Sequence, residues 1–178
     1  MNIDGMKELE QKLDKLSKID LRKEVGHAIQ TIRSSAVERA PTRRYGSGGG
    51  SLKQSIFSDV YENGDTIIGE CYTNNGHAVY VEFGTGPVGQ ENHENTSPDQ
   101  NPVYSQTGWM IPGDAMDPDA AEQYGLGIAR GKDGEVIGYY TNGQPAQPFM
   151  YPAMKDNQDE VLKNFASELT VNLERTIK

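Results

Sequence analysis

Three histidines, one cysteine and a scatter of carboxylates are the side chains here that could do chemistry. His27 falls in a helical pattern, His77 in a turn and His93 in a long irregular stretch. None has a Cys or His beside it at metal-ligand spacing. The group Glu91, His93, Glu94 and Asp99 offers a cation only loose, solvated ligands. Asp114, Asp117 and Asp119 lack the central Gly and terminal Glu of a calcium loop, and read better as a helix start with Asp117 as cap and Pro118 at the first position. Cys71 sits in a strand pattern as a small apolar side chain, and no Gly-x-Ser-x-Gly elbow marks an activated serine. A carboxylate pair can always be drawn from 26 acidic residues, so one has little weight as an acid-base site. The sequence therefore offers no catalytic site, and it calls for no metal and no cofactor.

The elements that would position a site follow from spacing. Ile3, Met6, Leu9, Leu13, Leu16 and Ile19 recur at helical steps, and so do Leu21, Val25, Ala28, Ile29, Ile32, Ala36 and Ala40 up to Pro41. Both stripes are expected to pack on a core, with a coiled-coil partner as the lesser alternative; Asp20 is the expected cap between the two helices, and Glu24 lies in the following turn. Residues 42–51 read as a flexible, Gly-rich loop, not a phosphate loop, since no Gly-Lys-Ser/Thr follows. Ile56–Tyr61 and Thr66–Tyr72 are β-branched and aromatic, and Asn63-Gly64 between them suits a tight hairpin. A third strand is expected over Ala78–Phe83, completing a meander. Residues 87–125 are expected to form a long arm that orders on assembly. Glu135–Tyr140 reads as a further strand, and a last helix follows Pro152. The fold class is thus α+β: two N-terminal helices and a C-terminal helix packed on an antiparallel sheet, one domain over residues 1–178.

Charge narrows the partners. Residues 1–44 hold ten Lys or Arg against seven Asp or Glu, whereas residues 45–152 hold three against fourteen within a net charge of -9. Nucleic-acid affinity comes largely from Lys and Arg displacing counterions, so direct or sequence-specific DNA binding by the acidic middle is not expected. One cysteine excludes an internal disulfide, and no apolar run reaches the length of a membrane span, so neither an oxidising compartment nor a membrane is expected.

Three segments carry a resemblance. Ala40-Pro41 is followed by Gly50-Ser51-Leu52-Lys53-Gln54-Ser55-Ile56; Tyr80-Val81-Glu82-Phe83-Gly84-Thr85 comes next; and Pro148-Phe149-Met150-Tyr151-Pro152-Ala153 precedes the last helix. In order and spacing, across residues 1–86 and 145–178, these resemble the tail-completion, or neck, morphogenesis family of long-tailed bacteriophages. The resemblance implies a structural, non-enzymatic protein of the virion neck or tail end, assembled in the host cytoplasm. Its implied partners are other neck, connector and tail proteins and further copies of itself in a ring. It marks Tyr80, Glu82, Phe83, Gly84, Thr85, Pro148, Phe149 and Pro152 as fold or assembly residues. Tyr80 and Phe83 are expected to anchor a strand end in the core, Glu82 to pair with a basic group, and Phe149 to plug the core. Arg43 and Arg44 are expected to meet an acidic surface on a neighbouring copy. Rival readings are a metal-dependent hydrolase using the acidic loop, and a phage-encoded toxin or regulator.

Overall fold

The computed structural model describes residues 4–42 and 50–177. In chain order it contains helices α1 (Asp4–Ser17), α2 (Arg22–Arg39) and α3 (Ser51–Gln54), strands β1 (Ile56–Asn63) and β2 (Thr66–Thr73), and helices α4 (Ala78–Phe83) and α5 (Gly86–Glu91). Strand β3 (Trp109–Pro112), a 3-10 turn (Gly113–Ala115), helix α6 (Pro118–Gln123), strands β4 (Gly127–Arg130) and β5 (Val136–Thr141) and helix α7 (Met150–Ile177) complete it. The fold is α+β, as the patterning implies. Its strands form two sheets, a β1-β2 hairpin and a three-stranded antiparallel sheet in the order β3-β5-β4.

The chain forms two compact units, one of residues 1–35, 57–72 and 154–178 and the other of residues 36–56 and 73–153. In the first, α2 lies on the hairpin. A side chain at Gly69 of β2 would stand 2.9 Å from Val25 and 3.1 Å from Ile29, so glycine lets helix and strand approach closely. Polar pairs set α7 beside α2: Asn172 Nδ2 donates to Glu24 Oε1 at 3.1 Å, His27 Nδ1 meets Glu168 Oε2 at 2.9 Å, and Asn157 Nδ2 donates to Ser35 Oγ at 3.0 Å. Partner numbers fall on α7 as they rise on α2, so the two helices run antiparallel. Asp20 caps as expected, accepting the Arg22 backbone N–H at 3.0 Å.

The hairpin turns one residue later than the Asn-Gly pair suggests. Gly64 and Asp65 are the central residues, and of the two only Gly64, at φ 61°, has positive φ; this is the first-position requirement of a II′ turn, where Asn-Gly would have formed a I′ turn.

The first helix departs from expectation. Only the C-terminal part of its stripe is covered: Leu16 and Ile19 are half-buried, whereas Met6, Leu9 and Leu13 are 70%, 56% and 57% exposed. The stripe of α2 behaves as expected, with Ala36 and Ala40 buried.

In the second unit the core comprises Leu52, Ile56, Ala78, Ala120, Ala121, Tyr139, Phe149 and Ala153 with Ala36 and Ala40. Tyr139, on the central strand β5, is fully buried and sits across from Ile111 and Ile128. Asp117 caps α6 as the sequence implies, accepting from the N–H groups of Asp119 (2.9 Å) and Ala120 (3.2 Å), with Pro118 at the first position. Residues 87–125 contain most of α5, all of β3, the 3-10 turn and α6, so the irregular stretch narrows to 92–108. The flexible-loop expectation for residues 42–51 falls largely outside the described residues.

Ala78–Phe83 is a helix, not the expected third strand. Its alternating valines and aromatics suit a strand, but the turn before it decides otherwise. Asn75 Oδ1 accepts the His77 N–H at 2.9 Å, and the Asn75 carbonyl accepts the Ala78 N–H at 3.0 Å, which starts a helical turn. The buried residues are then Ala78 and Glu82, one helical repeat apart.

Candidate assembly site

The two motif segments meet in the second unit. Glu82, 6% exposed, points at the start of α7: Oε2 accepts the backbone N–H groups of Phe149 (2.8 Å) and Met150 (3.0 Å), and Oε1 accepts that of Tyr151 (3.0 Å). A helix N-terminus leaves its first N–H groups without intrahelical partners and carries a partial positive charge, so a buried carboxylate there is doubly favoured. This replaces the expected basic partner: the countercharge of Glu82 is a helix end. Phe149 is fully buried and acts as the expected plug. Pro152 lies buried in the first turn of α7, where a missing N–H costs no intrahelical bond, and Pro148 is half-buried just ahead of it.

Around this cap the backbone is tied together. Thr85 and Gln144 exchange two backbone hydrogen bonds of 2.9 and 3.2 Å, Gln147 N–H donates to the Val81 carbonyl at 2.8 Å, and Ala146 N–H donates to Asn92 at 2.8 Å. Gln144 Nε2 also donates to the Tyr80 carbonyl at 3.0 Å, and Tyr104 Oη donates to the Phe83 carbonyl at 2.8 Å. Gly84 leaves α4 at φ 75°, with its Cα face 2.7 Å from Ala146 N were a Cβ present. A Cβ on Gly143, at φ 99°, would collide with the Thr85 carbonyl.

Glu82, Gly84, Thr85, Pro148, Phe149 and Pro152 are therefore brought together, with the carbonyl of Phe83. Tyr80 is not a core anchor: its backbone is held by Gln144 while the residue is 53% exposed, beside Val79 at 52%. On a helix, 80 and 82 face different ways, and so Glu82 turns inward while Tyr80 faces outward. Arg43 and Arg44 lie outside the described residues. Sequence reasoning missed Gln144 and Tyr104, since an amide in a turn and a tyrosine in a loop carry no spacing signal.

The groups considered for chemistry stay dispersed. Among the described residues no three His, Cys, Asp or Glu side chains come together as metal ligands. The ring of His93 rests 5.9 Å from that of Tyr104. Burial pushes the Cys71 thiol up, with nearby Arg33 opposing the shift less strongly, which disfavours a reactive thiolate. Both oxygens of Glu82 are occupied by backbone donors, so the arrangement anchors a helix and has no free base. Among the described residues, no helix is long and apolar enough to cross a membrane.

Residues 6–84 match the family model described as "Bacteriophage HK97-gp10, putative tail-component". Over those residues, less than half of its length, the chain is similar to a bacteriophage tail-component family. The match spans α1 to the end of α4 and includes Tyr80, Glu82, Phe83 and Gly84, whereas the α7 segment that Glu82 caps lies beyond it. No curated protein and no solved structure matches the chain.

Proposed function

We propose that this protein is a bacteriophage tail component, a structural, non-enzymatic protein of the neck or tail end that takes part in tail completion and head-tail joining through ring-forming contacts. The observation that carries this reading is the family match over residues 6–84. Supporting it, the motif side chains Glu82 and Phe149 serve the fold, while Tyr80 and Val79 present apolar surface outward, as expected of a protein that acts through its faces. The partners are other neck, connector and tail proteins, the protein resides in the virion, and an acidic middle region suits a conduit that DNA passes without sticking.

Assembly order fits the charge distribution. A basic stretch, Arg39, Arg43 and Arg44, and an acidic region on the same chain allow head-to-tail pairing between copies, the heterologous geometry that closes rings. Ordering segments on assembly costs free energy that neck contacts must offset, so free copies stay mainly monomeric at low concentration. Reversing Arg43 and Arg44 to Glu should lower the yield of joined heads and tails in a complementation assay without changing the unfolding midpoint. A tight ring formed by the protein alone in sedimentation, or normal yield from the double reversal, sinks this proposal.

A further inference from the structure

The outward face of the β1-β2 hairpin leaves aromatic side chains and carboxylates partly exposed among the described residues. Side chains alternate along strands, and Val60 and Gly69 face α2. The opposite face therefore carries Phe57, Asp59 and Tyr61 from β1 and Ile68, Glu70 and Tyr72 from β2. Phe57, Tyr61 and Tyr72 are 37%, 42% and 42% exposed, and the rings of Phe57 and Tyr72 stand 5.9 Å apart. Residues 56–73 contain four carboxylates, Asp59, Glu62, Asp65 and Glu70, and no Lys or Arg. Glu62 reaches Arg22 at 3.4 Å, whereas Asp59 and Glu70 form no ion pair among the described residues. Each strand thus sets a carboxylate between an aromatic ring and another apolar or aromatic side chain.

That pattern suits arginine. A guanidinium stacks on an aromatic ring while donating in the plane of a carboxylate, which an ammonium does less well. The chain itself holds the complementary segment: from Arg39 through Lys53 there are four basic residues and no acidic one, with Arg43 and Arg44 adjacent and followed by Tyr45. We infer that the hairpin's outer face receives the Arg43-Arg44-Tyr45 segment of a neighbouring copy, the two arginines pairing with Asp59 and Glu70 between the exposed rings. This rests on the assembly reading above and names the acidic surface that the reading requires.

The test uses full-length protein in the complementation assay. Asp59→Lys with Glu70→Lys should lower completed particles roughly tenfold or more, as should Arg43→Glu with Arg44→Glu, and combining all four should restore most of the yield, since each reversal leaves like charges facing and the combination restores attraction. If the arginine reversal lowers yield while the hairpin reversal does not, or the combination is no better than the worse pair, the hairpin contact is wrong although the assembly proposal stands. Normal yield from the arginine reversal overturns both. Should the hairpin reversal fail to fold, judged by its unfolding midpoint, Asp59→Asn with Glu70→Gln takes its place, with the same direction of loss expected. A second arm places Tyr61→Cys and Arg44→Cys in a Cys71→Ser background and oxidises assembled particles. Intermolecular cross-links support the inference. Cross-links within one chain, or from Tyr61→Cys to a neighbour's Leu9→Cys in place of Arg44→Cys, overturn it.

Discussion

The junction of α4 with α7 and the first helix are opposite solutions to one problem, what a helix does with the groups it cannot satisfy alone. At the junction, three N–H groups at the start of α7 are taken by one buried carboxylate, a phenylalanine fills the space beneath, and glycines let two backbone segments touch. Helix α1 has 14 residues, a clean apolar stripe, and most of that stripe in solvent. Helices of that length are marginal in water unless an apolar face is packed, so α1 gains little from its own unit. The difference separates residues that specify the fold from residues whose free energy remains available for association.

The largest effect should come from the buried cap. Glu82→Ala removes the acceptor of three backbone donors in a site closed to water, and should destabilise the protein by about 3 kcal/mol or more, read as a lowered denaturant midpoint. Glu82→Gln, which keeps the shape and one acceptor oxygen, should lose less. Equal loss from both would show that the charge of Glu82 at the helix end, and not its acceptor geometry, dominates.

Next is the backbone crossing. Gly143→Ala sets a Cβ against the Thr85 carbonyl at a positive φ and should cost roughly 2 kcal/mol in the same measurement. A neutral result would mean that the 142–146 segment can move away from Thr85, and that the junction is held by Glu82 alone.

On the other side of the comparison, Leu9→Asp with Leu13→Asp should lower the stability of the free protein by no more than about 0.5 kcal/mol, because each side chain is more than half exposed. A loss as large as that of Glu82→Ala would erase the distinction between the two regions.

The smallest effect concerns the cap between α1 and α2. The Arg22 backbone N–H, and then its side chain, hold the Asp20 carboxyl below the usual carboxylate range. A depressed value means that the contribution is present above the unfolded carboxylate's range and is lost as pH falls through the lowered folded value. Full exposure keeps it small. Asp20→Asn, which preserves the capping oxygen but not the charge, should flatten the acid limb of helicity measured by circular dichroism just below the ordinary carboxylate range while leaving the neutral-pH spectrum unchanged.

Much of the architecture was legible from local chemistry. Helical spacing located α1, α2 and α7, β-branched runs located the hairpin and β5, and Asp117-Pro118 announced the cap of α6, since each signal acts between residues a few positions apart. The motif segments were legible as well, though not what joins them. Whether Ala78–Phe83 formed a strand or a helix depended on Asn75 closing the turn before it, in competition with a strand-like alternation. That Glu82 would meet α7, 67 residues on, and spend its charge on backbone donors instead of a basic side chain depended on the fold bringing those ends together. The exposure of α1 was hidden for the same reason: periodicity shows that a stripe exists, and only the packing of everything else shows whether any surface remains to cover it.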